Sequence, residues 1–350
     1  MSRRGTYLDT GNRFTSFGSD QFDDGWEDRS LEPDPCTRIL DDTSRSAFAT
    51  NKSPDIPFTH SINPYRGCEH GCAYCYARPT HEYLGFNAGI DFESVILVKR
   101  DAAELARREM MKRSWKPTTV SLSGVTDPYQ PLERQMRITR GVLEVMRDFR
   151  NPVGIITKNA LVCRDLDILS EMASHHCAMV FLSITTLDRD LARRMEPRTS
   201  TPDMRLKAIE RLATAGVPVG TMVAPIVPGL NEEEIPAILT AAASAGAEWG
   251  AHVILRLPLA VKPIFIDWLD REEPDRAKKV RNALREMKGE SLNATEFRAR
   301  MKGVGPRAAN ITQLFQMTSR KLNLNSKPSP LTTANFCRPS SGGQMDLFSS

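Results

Sequence analysis

Short apolar runs alternate with segments of helical periodicity through the middle of the chain. Aliphatic, mostly β-branched residues dominate the runs, and the segments between them place apolar residues every three or four positions. This order predicts parallel strands joined by crossover helices. The predicted strands are Phe58–Ile62, Val95–Val98, Val120–Leu122, Gly154–Ile156, Val180–Ile184, Val219–Val223 and Val253–Leu255. The predicted helices are Ala102–Lys112, Thr139–Phe149, Arg164–His175, Pro202–Ala215, Glu232–Ala245 and Arg276–Lys288.

Both ends of the chain differ in composition from this middle region. Residues 1–50 mix charged residues with Ser, Gly and Pro, and residues 323–350 are rich in Ser, Pro and Asn. Such segments bury too little apolar surface to offset the entropy of ordering. We therefore expect a flexible N-terminal extension (1–50), a core domain (51–262), a C-terminal helical extension (263–322) and a disordered tail (323–350).

Overall composition is that of an ordinary globular protein. The 350 residues carry a formal net charge of +4, which permits a nucleic-acid partner without arguing for one. No apolar run approaches the roughly 20 residues that a membrane-spanning helix requires. The first residues contain arginines but no apolar export segment. These features predict a cytoplasmic protein with no membrane partner.

The most informative chemical feature is the spacing C-x3-C-x2-C, formed by Cys68, Cys72 and Cys75. Structural zinc and ordinary iron–sulfur clusters take four protein ligands, and no fourth cysteine lies nearby. A 4Fe–4S cluster held by three thiolates would keep one iron open for an exogenous ligand. A zinc site completed by His70 or His81 is the alternative, although a second ligand pair is missing. The remaining cysteines are expected to be free thiols in a reducing cytosol, namely Cys36, Cys163, Cys177 and Cys337.

With Tyr74 before the last cysteine, this pattern resembles the motif of the radical S-adenosylmethionine (SAM) superfamily. Across roughly residues 58–260, the segments NPYRGCEHGCAYCYAR, GVTDPYQPLE, ITKN, SITT, EPRTSTPDMRLKAIERLATAGVPVG and APIVPGLNE resemble its spore-photoproduct-lyase-like branch. The resemblance implies an α/β fold, a partial TIM-like (β/α)6 barrel with the cluster loop after the first strand. It also implies reductive cleavage of SAM to a 5′-deoxyadenosyl radical, with an electron donor such as flavodoxin or ferredoxin.

Further site residues follow from the resemblance together with positions just beyond predicted strands. It implies that Tyr74 shields the cluster and that Ser123, Gly124, Lys158 and Ser183 hold SAM. Reacting groups of such barrels lie at the C-terminal ends of strands. Three further residues are expected to face substrate: Asp127, Tyr129 and Arg198. Each assignment has a structural alternative: the loop at Ser123 could be a capped turn, and Lys158 a solvated loop lysine. Tyr129 could simply pack, and Arg198 could cap a helix or pair with Glu196.

Two weaker signals favour DNA as the substrate. The glycines around Gly303–Gly305 resemble half of a helix-hairpin-helix, although a plain turn is an alternative. The sequence QMDLF resembles the peptide by which bacterial repair and replication proteins dock on the sliding clamp, with apolar side chains for a hydrophobic groove. That segment consists of Gln344, Met345, Asp346, Leu347 and Phe348.

One departure limits the specific reaction. Spore photoproduct lyase uses a further cysteine downstream of the cluster as hydrogen donor, and no cysteine lies between Cys75 and Cys163 here. Thymine-dimer reversal is therefore not assigned. Modification of RNA or of a protein side chain, and a non-catalytic iron–sulfur sensor, remain as alternatives to a DNA-directed radical SAM enzyme.

Overall fold

A computed structural model describes residues 4–6, 8–14, 36–324 and 331–339. Its strands are β1 (Arg38–Asp41), β2 (Phe48–Thr50), β3 (His60–Ile62), β4 (Tyr65–Arg66), β5 (Val95–Val98), β6 (Val120–Leu122), β7 (Val153–Thr157), β8 (Ala178–Ser183), β9 (Val219–Ile226) and β10 (Trp249–Ile254). The helices of the barrel region are α1 (Ile90–Ser94), α2 (Ala102–Met111), α3 (Glu133–Met136), α4 (Ile138–Asp148), α5 (Leu166–Ser174), α6 (Arg189–Met195), α7 (Pro202–Thr214) and α8 (Ile235–Ser244). Four more follow: α9 (Val261–Glu272), α10 (Pro274–Lys288), α11 (Ala299–Lys302) and α12 (Gly305–Lys321).

The main sheet has seven strands in the order β10-β9-β8-β7-β6-β3-β2. Six of them run parallel, namely β3, β6, β7, β8, β9 and β10, and β2 pairs antiparallel with β3. The sheet does not close, because β2 and β10 stand at opposite ends of the strand order. This confirms the predicted α/β class with a partial (β/α)6 barrel.

Burial explains why these segments form strands and helices. In β7, Val153, Ile155 and Thr157 are buried while the residues between them are partly exposed, which is the alternation of a pleated strand. In α7, which begins with Pro202 in its first turn, the buried positions recur at helical spacing. The helix ends before Gly216, whose φ of +72° lies in the left-handed region that favours glycine.

One predicted strand has a different place in the fold. Val95–Val98 forms β5, but β5 pairs with β1 and β4 in a separate three-stranded sheet. Apolar content alone cannot distinguish the two sheets, since both bury aliphatic side chains. The strand predicted as Val253–Leu255 starts at Trp249 because backbone pairing with β9 extends through the small residues Gly250 and Ala251.

Both terminal segments are more ordered than their composition indicates. The prediction of a flexible extension is wrong for residues 38–41 and 48–50, which form β1 and β2. The disordered-tail prediction is wrong for residues 331–338, where the Thr332 amide donates to the His176 carbonyl at 3.0 Å and Phe336 lies 6.0 Å from the Phe149 ring. Local composition misses such long-range contacts. The QMDLF segment lies outside the described residues, and the domain limits at 262 and 322 stay predictions.

Within the described part of the chain, no helix combines the length and apolar character needed to cross a membrane.

Candidate active site

The predicted site residues gather at the C-terminal edge of the main sheet. The cysteine loop follows β3, Ser123 and Gly124 follow β6, Lys158 follows β7, and Ser183 ends β8. Because parallel strands end at the same edge of a sheet, residues that are far apart in sequence meet here.

The three thiols of the cysteine loop are free and shielded from solvent. Cys68 and Cys72 are buried and Cys75 is partly buried, and Cys75 packs against the apolar neighbours of both others. Burial raises the pKa of all three thiols, and the neighbouring thiols raise those of Cys68 and Cys72 further. Three ionisable thiols with no disulfide partner therefore converge in one loop.

A buried ion pair between Arg78 and Glu93 fixes the backbone of this loop. Arg78 donates to the Cys72 carbonyl at 3.1 Å and 2.9 Å, and its guanidinium also bonds the Glu93 carboxylate. Both side chains are fully buried. The Gly5 amide donates to the same carboxylate at 2.7 Å, so the N-terminal residues lie against the loop. A Cβ on Gly5 would stand 1.5 Å from the Gly71 carbonyl oxygen, so this contact requires glycine.

On its other side the loop is tied to a buried carboxylate, Glu196. The Tyr74 hydroxyl, between the second and third cysteines, donates to this carboxylate. Arg205 donates to Glu196 as well, and the Lys158 ammonium lies 3.1 Å from it. Burial alone would raise the pKa of Glu196, but Arg205, Lys158 and the hydroxyls of Thr185 and Tyr74 hold that pKa well below its usual range.

Lys158 fills all three of its N–H donors with protein acceptors. Its ammonium donates to Ser183 Oγ at 2.8 Å, to Thr185 Oγ1 at 3.1 Å and to the Ala224 carbonyl at 2.8 Å. The structure thus brings Lys158 and Ser183 together, as predicted, but as part of a saturated network. The Lys158 side chain is only 16% exposed, so the alternative of a solvated loop lysine is wrong.

The cations of this network are matched by carboxylates. Lys158 and Arg205 are two buried or nearly buried cations, while Glu196 is the carboxylate between them. Arg205 uses its other donors on the carbonyls of Ser200 and Ser183, each at 2.8 Å. The Asp127 carboxylate, which accepts from the Lys158 amide at 2.8 Å, brings the charges of these four side chains to zero in total.

Asp127 lies at the sheet edge, where protein donors hold its carboxylate. Its carboxylate accepts from Thr157 Oγ1 at 2.7 Å and from the Lys158 amide at 2.8 Å. Its second oxygen also lies 3.5 Å from His70 Nδ1. These contacts join the β6 and β7 ends to the cysteine loop, so Asp127 positions backbone segments.

The two histidines of the zinc alternative differ, because His70 has polar partners whereas neither ring nitrogen of the buried His81 has a hydrogen-bond partner in the described part of the chain. His70 lies between Asp127 and Asn159, whose Nδ2 is 3.3 Å from His70 Nε2. His81 is buried between the rings of Phe86 and Phe92, with centroid distances of 5.2 Å and 5.6 Å. Across the described residues no group of three or more His, Cys, Asp and Glu side chains has the geometry of a bound metal ion.

The prediction that Tyr129 faces substrate is wrong. Tyr129 is fully buried in the main core, and its hydroxyl donates to Asp165 Oδ2 at 3.1 Å. The turn that begins at Asp127 directs the ring away from the sheet edge, because the Tyr129 amide bonds the Asp127 carboxylate at 2.9 Å. Its phenol therefore satisfies a buried carboxylate and does not reach a ligand.

Arg198 and the Ser123–Gly124 loop stay at the site. The Arg198 guanidinium lies 3.4 Å from Glu69 in the cysteine loop and keeps 30% exposure. Ser123 has a φ of +95°, a strained value for a residue with a side chain. A Cβ on Gly124 would stand 2.6 Å from Ser61 Oγ, so the backbone here approaches β3 more closely than any other residue type allows.

Sequence reasoning missed the residue at the centre of the site. The sequence pattern indicates Glu196 only as a possible partner of Arg198, and it predicts no role for Thr185 or Arg205. The signal that could have found them is a run of polar residues after a predicted strand, SITT, followed by an acidic residue before an arginine-bearing helix. Cys163 and Cys177 are packed in the core, as predicted.

Comparison with known proteins identifies the family of this architecture. The model of the radical SAM superfamily matches residues 62–242. A protein of Mycobacterium tuberculosis, described as uncharacterized, is 37% identical over 242 residues, covering 68% of this chain and 71% of its own length. A protein of Methanocaldococcus jannaschii is 30% identical over 173 residues, covering 49% and 62% of the two chains.

Among solved structures, variants of spore photoproduct lyase share the fold. One such variant superposes with a TM-score of 0.58 at 18% identity, covering 82% of this chain and 79% of its own. Another, with bound AdoMet and dinucleoside spore photoproduct, gives a TM-score of 0.56 at 18% identity over 81% and 78%.

We expect Glu196→Gln to destabilise the fold by about 3–5 kcal/mol near neutral pH, because Lys158 and Arg205 lose their shared carboxylate. The folded pKa of Glu196 is depressed, so its stabilisation is present above the unfolded value of 4.5 and is lost as the pH falls toward the folded value. The stability difference from wild type should therefore shrink below about pH 4.5. Urea unfolding at several pH values measures it.

The matched control is Glu144→Gln. Glu144 is 44% exposed and pairs with Arg140 at the helix surface, so its loss should change stability little at any pH. A Glu196→Gln deficit that is below about 1 kcal/mol, or that stays constant across the pH range, would contradict the central role of this carboxylate.

Proposed function

Since this chain belongs to the radical SAM superfamily, we propose that Cys68, Cys72 and Cys75 hold a 4Fe–4S cluster with one open iron at which SAM binds. Membership of this family confirms the predicted cofactors, a 4Fe–4S cluster and SAM, and the prediction of an enzyme. The fold shared with spore photoproduct lyase is consistent with this. We propose in addition which residues ligate the cluster, which residues hold SAM, and what the substrate is. When bound, the reduced cluster supplies the electron that cleaves SAM to a 5′-deoxyadenosyl radical.

The observation that carries the proposal is the chemistry of the donor set. The loop offers three free, buried or partly buried thiols, and its histidine, His70, already lies against Asp127 and Asn159. Iron–sulfur clusters are bound by thiolates, and cationic iron lowers the pKa of a thiol that ligates it. The burial that raises these pKa values in the loop would then be offset by ligation. Three donors fit a cluster that keeps one iron available.

The charge at the sheet edge supports a place for SAM. The Lys158 ammonium, whose side chain is 16% exposed at this edge, is a compact cation that suits the SAM carboxylate. Ser183 shares a hydrogen bond with Lys158, and Ser123 with Gly124 presents backbone beside β3. We propose that these residues hold SAM and that Tyr74, bonded to Glu196, fixes the loop. Because Lys158 is saturated, SAM would have to replace one of its present acceptors.

The proposed substrate is DNA. The support is the fold shared with spore photoproduct lyase, which has been solved with a dinucleoside photoproduct, and the net charge of +4 permits such a partner. Arg198, partly exposed beside the cysteine loop, is proposed to face this substrate. RNA or a protein side chain is the alternative substrate, and a sensor without catalysis would not need a cation placed for SAM at the sheet edge. The electron donor is proposed to be a flavodoxin or ferredoxin in the cytoplasm.

After anaerobic reconstitution and dithionite reduction, the wild-type protein should convert SAM to 5′-deoxyadenosine, which chromatography detects. Cys72→Ala should abolish both the 4Fe–4S absorbance and this product, because two thiolates cannot hold the cluster. Cys163→Ala is the matched control, since Cys163 packs in the core away from the loop and should leave both signals intact.

Cleavage that persists in Cys72→Ala would reject the ligand assignment. Adding ultraviolet-damaged DNA, intact DNA or RNA to the same assay then tests the substrate, because a true substrate incorporates or loses hydrogen in step with SAM consumption. Consumption coupled to RNA alone would favour the alternative. An intact cluster with no cleavage under any addition would favour a sensor.

We also propose that the QMDLF segment, Gln344–Phe348, docks on the bacterial sliding clamp. Support comes from the sequence pattern and from residues 331–338, which anchor the chain just before it on the face opposite the cysteine loop.

Deleting Gln344–Ser350 should therefore abolish binding to an immobilised sliding clamp while leaving SAM cleavage unchanged. Removing Ser349 and Ser350 alone is the control and should retain binding, because the apolar anchors remain. Surface plasmon resonance measures both variants, and clamp binding that survives the longer deletion would dispose of this partner.

A further inference from the structure

A second cationic cluster lies beyond the end of β10, at the open edge of the sheet. Its centre is Arg256, two residues after β10. The Arg256 guanidinium stands 5.6 Å from the ring centroid of Tyr76, which directly follows the third cysteine. The Tyr76 hydroxyl donates to the Gly124 carbonyl at 3.2 Å, beyond β6. Arg256 therefore belongs to the same rim of the barrel as the candidate active site, but to none of its networks.

Arg256 has few polar partners for a partly buried arginine. One terminal nitrogen lies 3.6 Å from the Met301 sulfur, a weak acceptor. Its Nε is buried and has no hydrogen-bond partner. Among the described residues no carboxylate lies at ion-pair distance from it. A buried guanidinium donor without an acceptor costs free energy, and a ligand anion would supply the missing acceptor.

The residues around Arg256 add to this unbalanced charge. Lys288, in α10, donates to the carbonyls of Ala299 and Arg300 at 3.1 Å and 2.7 Å, and neither contact is to a carboxylate. Burial and the nearby Arg256 lower the pKa of Lys288 to about 8. Arg300 is neutralised by Asp55 at 2.6 Å. Two positive charges, on Arg256 and Lys288, thus lack a counter-charge in this part of the described chain.

An exposed aromatic ring completes the surface. Phe297 is 56% exposed, which is unusual for a side chain of its size, and the Arg300 guanidinium lies 4.7 Å from its ring centroid. The ring lies two residues before Ala299, whose carbonyl Lys288 bonds, so an exposed aromatic side chain and unbalanced charge share one segment, as in sites that bind single-stranded nucleic acid. The cations hold backbone phosphate and the ring stacks a base.

We propose that Arg256, with the charge of the buried Lys288 behind it, binds a backbone phosphate of a single-stranded stretch of nucleic acid, and that Phe297 stacks an adjacent base. This cation–aromatic rim (Arg256, Lys288, Arg300, Phe297) would hold the strand at the open edge of the barrel, beside the cysteine loop. The inference rests on the proposed nucleic-acid substrate and deepens it. A site for phosphate and one base does not read sequence, so it predicts affinity with little sequence preference.

The test measures fluorescence anisotropy of a labelled oligothymidine of about 12 nucleotides, with reconstituted protein, across a range of salt concentrations. Arg256→Gln should weaken binding about tenfold, because one charge-assisted contact is lost. The slope of log affinity against log salt should fall by about 0.7, as expected for one phosphate contact on a single strand. Phe297→Leu should also weaken binding but leave that slope unchanged, because stacking releases no counterions.

The matched control is Arg113→Gln. Arg113 is an exposed arginine between α2 and β6, at the opposite end of the strands, so it loses the same charge without touching the rim. It should alter affinity little. Equal binding by Arg256→Gln and Arg113→Gln would overturn the inference while leaving the nucleic-acid substrate in place.

Two other outcomes are informative. Wild-type protein that binds neither this oligonucleotide nor ultraviolet-damaged DNA would remove the proposed substrate and the rim together. A loss of SAM affinity in Arg256→Gln with unchanged oligonucleotide affinity would also overturn the inference, because the cluster would then hold the carboxylate of SAM.

Discussion

A carboxylate buried between two cations organises the candidate active site. Glu196 cannot be charged at this depth without Lys158 and Arg205, and neither cation could remain there without it. Tyr74 adds a donor from the cysteine loop. Because these four groups come from separate segments, the cost of burying charge is met only when the strand ends, α7 and the loop are assembled together. The interaction therefore links folding of the barrel to placement of the cysteines.

The cysteine loop is fixed from two directions by the same kind of device. Arg78 and Glu93 form a second fully buried ion pair against the loop, and the Gly5 amide donates to the Glu93 carboxylate. Loops generally move more than the strands that they connect. Here buried, charge-assisted contacts on both sides hold three thiols in a defined relation to the sheet edge, which is what a site that must position a cluster beside SAM requires.

The parallel sheet could be predicted from sequence because it depends on local patterns. Apolar runs followed by helical periodicity fixed six of its strands to within a few residues, and the cysteine spacing pointed to the cofactor chemistry. Both signals lie within one short window. The placement of Val95–Val98 in a second sheet could not be obtained in this way, since it depends on pairing with β1.

Side-chain directions and long-range pairs were beyond such reasoning. Tyr74 and Glu196 are 122 positions apart, so no window contains both. Tyr129 was predicted to face substrate from its position after a strand, but one turn of backbone directs it into the core. The polar composition of residues 331–338 indicated disorder, while backbone bonds to distant loops order them. In each case tertiary contacts decided what local composition could not.

The central claim is that three cysteines hold a cluster whose open iron accepts SAM beside the Glu196 network. Electron paramagnetic resonance of the reconstituted, dithionite-reduced protein tests it most directly, recorded with and without SAM. The account predicts that SAM changes the g-values of the reduced 4Fe–4S signal, because it ligates the open iron. An identical spectrum at saturating SAM would contradict the account, since it would mean that every iron already has its ligands.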